Sequence, residues 1–449
     1  MRMSGMELNA CTAGSWHGVP PAELCGISSD TRSLRKGDAF IALRGPNFDG
    51  HAFVAEAVNR GAAALIGDTA GIGAWKGISL PQLEVQDSLR ALGDIASHWR
   101  SSLSLPVVAI TGSYGKTTLR SMLEHILLSQ GKRVAATRSN DNNLIGVPQT
   151  LLRIQPDDDV AVVECGISEP GEMSRLAAMV RPDVAVITGI SAAHAEGLGS
   201  LACVAAEKAL LLDALAANGC AVLGAGVSAL LGEKSMPAGS MLLDMNGADD
   251  SVVEWDMNGR HVSLKRGDES VAFDLALPAH HWAEDAALAA TILGRLGFAS
   301  LQEVGAAMAS WQAVSGRMRS LTGMGGCHLL DDSYNANPAS MAVALDTLRH
   351  MSGRRIAVLG DMAELGRDSA ALHAGLDIGG LNTVLLVGEQ MRALATAHAK
   401  ARHMADIDQT LAALVEMNLG KGDTVLIKGS RCMHMERVVD GLRDGCDAI

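Results

Sequence analysis

Residues 112–118 read Gly-Ser-Tyr-Gly-Lys-Thr-Thr, between the apolar run 107–110 and a stretch in which Leu119, Met122, Leu123, Ile126 and Leu127 recur at helical spacing. A buried strand that turns through small residues into a helix aims backbone N–H groups and the positive helix end at one point. That point suits a polyphosphate. Lys116 offers a point charge to the terminal phosphates and Thr117 a hydroxyl to Mg2+. The strict G-x-x-x-x-G-K-[ST] pattern has a glycine where this chain has Ile110, so the loop is a shorter relative of it. Gly112, Ser113, Tyr114, Gly115, Lys116, Thr117 and Thr118 are read as a nucleoside-triphosphate site.

In open parallel sheets ligands collect beyond the carboxyl ends of the strands, so polar residues that close an apolar run carry the next signals. Glu164 follows Val160-Ala161-Val162-Val163, and His194 lies shortly after 184–188. A carboxylate there holds Mg2+, and an imidazole joins it or positions a water. The plainer readings are a strand-end charge and a loop histidine bonded to backbone. Lys208 falls within the stripe Leu201, Val204, Ala205, Leu211, Leu212 and Leu215 of a helix expected after Ser200. A buried ammonium is costly unless paired, which favours the free amine; pairing with Glu207 or snorkelling to the surface is the alternative.

Asp331-Asp332-Ser333-Tyr334-Asn335-Ala336-Asn337-Pro338 sets two carboxylates and two amides just before a helix. Asn337 suits the cap and Pro338 the first turn, which leaves Asp331, Asp332 and Asn335 for a ribose or a phosphate. Arg317 and Arg319 stand at an apparent domain boundary, where an arginine can swing onto a γ-phosphate when domains close.

These residues need a scaffold of strands and helices, and 449 residues allow about three ordinary domains. Residues 1–104 mix short strands with a helix, 105–316 alternate strand and helix, and 317–449 repeat that alternation in a Rossmann-like manner. The fold class is therefore α/β with parallel sheets, and 239–277 is expected as a small antiparallel insertion. A formal charge of −13 disfavours a nucleic-acid or anionic-membrane surface. Eight cysteines without a C-x-x-C pair read as reduced thiols, and neither a signal peptide nor a membrane span is expected.

Over nearly the whole chain these segments resemble the Mur ligases. Ser28-Ser29-Asp30-Thr31-Arg32 and Gly45-Pro46-Asn47-Phe48-Asp49-Gly50-His51 are similar to the family's uridine-nucleotide segment, which implies substrate contacts at Ser29, Asp30, Thr31, Arg32, Asn47 and Asp49. The run 140–148, with Asn142 and Asn143, resembles its asparagine segment. Glu164 and His194 resemble its metal-site residues, and Lys208 aligns with the lysine that the family carbamylates. The segments at 332–338, 360–366 and 428–431 resemble the member that adds D-alanyl-D-alanine to UDP-N-acetylmuramoyl-tripeptide.

The resemblance implies an ATP-dependent amide ligase of peptidoglycan synthesis, cytoplasmic and monomeric, using ATP, two Mg2+ ions and an acyl phosphate. Its central P-loop domain would be flanked by an N-terminal uridine-nucleotide domain and a C-terminal domain binding the dipeptide near Lys428, Ser430 and Arg431. A helix cap at Ser430 with solvated charges is the plainer account of that last segment. One position departs from the family: His281-Trp282-Ala283-Glu284-Asp285 ends in aspartate where the family has an asparagine beside the adenine, and Asp lacks the amide donor.

Overall fold

The computed structural model describes residues 1–449 apart from 46–47, 192–194, 233–236, 238–240, 246–251 and 445–449. Three α/β units follow one another along the chain. The first carries a five-stranded sheet in the order Ser15–His17, Gln82–Val85, Ala64–Asp68, Ala39–Ile41, Ile27–Ser28, parallel except for the edge strand Ser15–His17.

The second sheet is wholly parallel, in the order Met241–Asp244, Cys220–Leu223, Val184–Ile187, Val107–Thr111, Val160–Glu164, Val134–Ala136. Its strands are runs of Val, Ala and Ile without polar alternation, as a sheet covered on both faces requires. The pleat divides them. Val108, Ile110, Val162, Val186 and Val222 join the core with helices Lys116–Ser129 and His280–Leu296. Ala109, Val163, Ala185 and Leu223 join the core with helices Ser88–Ser101, Gly146–Arg153 and Glu172–Val180. After Val107–Thr111 the chain builds the strands on one side, then crosses to Val184–Ile187 on the other. The order reverses there, and a crevice opens at the carboxyl end of Val107–Thr111.

The segment 239–277 divides rather than forming one antiparallel insertion. Met241–Asp244 extends the parallel sheet, because its apolar residues can pair with the edge Cys220–Leu223 and bury Leu243. The antiparallel sheet is confined to Glu254–Asn258, His261–Arg266 and Glu269–Asp274. The helix bearing Lys208 is Leu201–Ala209, shorter than the apolar stripe; Leu201 is exposed, while Leu211, Leu212 and Leu215 are buried beyond its end.

The third sheet runs Arg319–Thr322, His328–Asp332, Asp423–Lys428, Arg354–Gly360, Thr383–Val387, Ala401–Met404, parallel except for the first strand. Asp332 and Lys428 are register partners at its carboxyl edge. No helix among the described residues is long and apolar enough to cross a membrane.

Arg100, at the end of helix Ser88–Ser101, ties that helix to the second sheet. It donates to the carbonyls of Val180 at 2.9 Å, Leu103 at 3.1 Å and Arg181 at 3.1 Å, and to Asp183 Oδ2 at 3.1 Å. Removing it strands several acceptors at once. Arg100→Ala should cost about 2–4 kcal/mol, read as a fall of several degrees in melting temperature. An unchanged melting temperature would mean that water replaces these bonds without loss.

Candidate active site

The phosphate-type loop keeps its shape through two glycines and a set of captured carbonyls. Gly112 has φ 151° and Gly115 φ 80°. A β-carbon on Gly112 would stand 2.1 Å from Thr188 Oγ1, so a side chain there is excluded. Lys116 Nζ donates to Gly112 O at 2.6 Å, Asn337 Nδ2 to Ser113 O at 3.1 Å, and Thr188 Oγ1 to Tyr114 O. Ser113 Oγ donates to Ser191 O at 3.2 Å and accepts from Ser191 N at 3.0 Å. Burial brings the Lys116 ammonium down to about 8, with Glu164 pulling it up and Arg317 pushing it further down.

Below the loop lies a buried ionic floor. Glu164, at the end of its strand and fully buried, accepts from Arg120 Nε at 2.8 Å and from Thr117 Oγ1 at 3.1 Å. Arg120 also donates to Glu124 at 2.6 Å, so neither buried charge is left unpaired. Lys208 differs. It is 1% exposed, and with the described residues it makes no ion pair. Glu207 is not its partner, because that carboxylate accepts from Gly171 N at 2.8 Å and Met173 N at 3.1 Å at the start of helix Glu172–Val180. Burial, and then the charge of Lys116, push the Lys208 ammonium well below its ordinary range.

The third unit forms the opposite wall. Lys428 Nζ donates to Asp332 Oδ2 at 2.7 Å and to Asn335 O at 2.9 Å. Burial disfavours charge on both partners, and each charge offsets that cost for the other. The Arg317 guanidinium lies 4.1 Å from the centre of the Tyr334 ring, a cation–π contact that holds it at the cleft. Asp331 instead braces the linker, accepting from Gly316 N at 2.9 Å and from Ser333. Loop, Lys208, Asn142, Asn143, Arg317, Asp332, Asn335 and Lys428 line one cleft of about 370 Å³.

Three family models match the chain consecutively: "Mur ligase family, catalytic domain" over residues 23–100, "Mur ligase middle domain" over 110–293 and "Mur ligase, glutamate ligase domain" over 316–431. A protein of Escherichia coli (strain K12) named "UDP-N-acetylmuramoyl-tripeptide--D-alanyl-D-alanine ligase" is 37% identical, with 94% of each chain covered. The chain belongs to the Mur ligase family. Among solved Mur ligases, a MurF from Acinetobacter baumannii superposes with a TM-score of 0.87 at 29% identity, covering 98% of this chain and 99% of that one. A MurF ligase from Thermotoga maritima in complex with ADP has a TM-score of 0.82 at 26% identity, covering 94% and 98%.

Other anticipated site residues of this Mur ligase are distributed more widely. Ser29, Asp30, Thr31 and Arg32 line a separate cleft of about 410 Å³ in the first unit, with Phe48 and Phe53 exposed on its wall. Ser29 Oγ accepts from Gln149 Nε2 at 2.7 Å, and Asp30 forms a two-point pair with Arg32. Asp49 is engaged within the protein, accepting from His51 N at 3.0 Å and His51 Nδ1 at 2.6 Å. Asn143 Oδ1 accepts from Ile145 N at 3.0 Å and Gly146 N at 2.9 Å, so part of its amide starts helix Gly146–Arg153. Asn47 and His194 lie outside the described residues.

Ser430 Oγ accepts from Ala363 N at 2.7 Å and donates to Ala336 O at 3.3 Å, binding two loops to each other. Arg431 opens onto a separate pocket of about 140 Å³ behind Tyr334. Asp285 is buried beside the loop: its Oδ1 lies 3.3 Å from where a β-carbon on Gly115 would stand, and its Oδ2 has no hydrogen-bond partner among the described residues. Burial and then Glu284 push its carboxyl well above the ordinary range.

Arg120 and Tyr334 belong to the site without having been singled out from the sequence. Arg120 follows Lys116 by one helical turn, which was the available signal. His281 lines the main cleft, and burial holds it at about 3, so it stays neutral. Lys208, without an ion pair among the described residues, gives a test. Lys208→Met should raise the melting temperature of the ligand-free protein in CO2-depleted buffer by about 2–4 °C. A fall would mean that the amine has a stabilising partner.

Proposed function

We propose that this chain joins D-alanyl-D-alanine to UDP-N-acetylmuramoyl-tripeptide at the expense of ATP, a cytosolic step of peptidoglycan synthesis carried out by a monomer. The supporting observation is the cleft in which a phosphate loop, an arginine presented from the third unit and a buried lysine without an ion pair among the described residues meet, above the buried Glu164–Thr117 contact. The names of the relatives supply the two substrates. In this reading 1–104 binds the uridine nucleotide, 105–316 binds ATP and 317–449 binds the dipeptide.

The reaction requires a carboxylate to become an acylating agent. A carboxylate oxygen of the tripeptide attacks the γ-phosphorus of ATP, the bond to the β-phosphate oxygen breaks, and ADP leaves. The dipeptide amine then attacks the acyl carbon, the carbon–oxygen bond to phosphate breaks, and the amine loses its proton. Lys116 exchanges Gly112 O for the γ-phosphate, and loop N–H groups hold the β-phosphate. Arg317 is held against Tyr334 where charge develops on the moving phosphoryl group.

Thr117 Oγ1 and Glu164 Oε2 lie 3.1 Å apart, an oxygen pair suited to Mg2+, which when bound neutralises charge on the phosphoryl group. Lys208 suits a carbamate: its free amine adds to CO2 and loses a proton, and the resulting anionic oxygen, together with His194, would serve as a ligand for a second Mg2+. That modification also sets an anion toward Lys116 where the unmodified side chain offers an uncharged amine. Asp332 and Asn335 bind the nucleotide's ribose side, and Asp285 stands near the base.

In the first unit, Ser29 to Arg32 bind the uridine nucleotide, with Phe48 and Phe53 offering faces for the base. Asn142 and Asn143 receive the muramoyl peptide at the main cleft. Because two of its donors are already used, Lys428 offers the acceptor only its remaining N–H, and Arg431 adds charge from behind Tyr334.

Phosphate release should require both UDP-N-acetylmuramoyl-tripeptide and D-alanyl-D-alanine, and Lys116→Ala should abolish it while keeping the wild-type melting temperature within a few degrees. Equal stimulation by free glutamate or by L-alanyl-L-alanine would overturn the acceptor assignment. Lys208→Ala should lose at least about 100-fold in kcat and recover part of it with added formate or acetate. Full activity of that variant without a carboxylate would remove the carbamate from the mechanism.

A further inference from the structure

A loop that aims its N–H groups at an anion turns its carbonyls the other way, and buried carbonyls need donors. Here three consecutive carbonyls, those of Gly112, Ser113 and Tyr114, each receive a side-chain donor, and the three donors come from three parts of the fold. Lys116 belongs to the helix that the loop begins, and it leaves Gly112 O when it engages a phosphate. Thr188 follows the neighbouring strand Val184–Ile187 of the same sheet. Asn337 lies 224 residues further along the chain, in the third unit, and reaches Ser113 O at 3.1 Å.

The Asn337 side chain is held at both ends. Its Oδ1 accepts from Ser340 N at 2.9 Å and caps helix Pro338–Arg349, while Asn337 N donates to Ser340 Oγ at 3.0 Å. With the oxygen fixed by the cap, the amide nitrogen has one direction left, and it faces the loop. Capping alone would be served by serine or aspartate, neither of which can donate to Ser113 O from there.

We infer that Asn337 is a positioning residue through which the third unit holds the phosphate loop in its nucleotide-accepting shape. This rests on the ATP-ligase reading and adds a direct link between domain closure and ATP affinity. When the third unit moves away, Ser113 O loses its donor and the loop loses part of its order. ATP then binds best where the acceptor-binding unit is already docked, which limits hydrolysis of the acyl phosphate by water.

The test uses the full chain with Asn337→Ser and Asn337→Asp, both of which keep a capping oxygen. Calorimetric titration with a non-hydrolysable ATP analogue and Mg2+ should give affinity weaker by about tenfold for Asn337→Ser and more for Asn337→Asp, which sets an oxygen against Ser113 O. Melting temperatures should stay near wild type, and the KM for the UDP-linked substrate should change less than about twofold while that for ATP rises. Wild-type affinity in both variants would overturn the inference, as would a fall in melting temperature that accounts for the whole loss. Failure of the wild-type chain to bind the analogue would instead sink the ligase reading on which the inference rests.

Discussion

Positive charge must be gathered at one cleft before any phosphate arrives, and cations that face each other across low-dielectric space repel. The fold meets this constraint by giving each cation a temporary or permanent hold. Lys116 rests on Gly112 O, Arg120 on Glu164, Arg317 on the face of Tyr334 and Lys428 on Asp332. Lys208 has no such hold among the described residues, and its burial favours the uncharged amine. Permanent and temporary holds differ in strength. Arg120 and Lys428 are bonded to buried carboxylates and stay in place, whereas a carbonyl and an aromatic face give up Lys116 and Arg317 at lower cost when an anion competes.

That arrangement depends on two sheets, the second and the third, that present their carboxyl edges to one cleft. Glu164 stands in register with Ile110 and Ile187 with Thr111, so the strands beside the phosphate loop end where the cleft begins. The same rule brings Asp332 and Lys428 together at the end of the third sheet. The units meet through shared apolar packing, to which polar contacts are added at Gln149 to Ser29, Asn337 to Ser113 and Glu196 N to Glu364 O. The polar contacts break and re-form more easily than the packed apolar ones, so a displacement of one unit against another starts there.

The phosphate loop was legible in the sequence because its whole device is contiguous: strand, two glycines, lysine, hydroxyl and helix within a dozen residues. Lys208 was legible because a lysine breaks an apolar stripe whose other members must be buried. Arg120 and Asn337 were not, since their partners Glu164 and Ser113 lie 44 and 224 residues away and nothing local betrays the pairing. Asp49, Asp331 and Ser430 illustrate the opposite difficulty. Their positions at strand ends suit ligand contact and internal bracing equally, and only geometry assigns their hydrogen bonds to His51, Gly316 and Ala363. The segment 239–277 was misjudged for a similar reason, because Met241-Leu242-Leu243 is equally apolar whether it pairs parallel or antiparallel.

The central claim is that the cleft transfers phosphate to the substrate carboxylate before the amide forms. It is tested most directly by labelling the terminal carboxylate of the UDP-linked tripeptide with 18O and analysing the inorganic phosphate released in one turnover. An acyl phosphate predicts that one labelled oxygen appears in the phosphate for each amide formed. Amide formation with unlabelled phosphate would contradict the account, since the carboxylate oxygen would then have left without ever being joined to phosphorus.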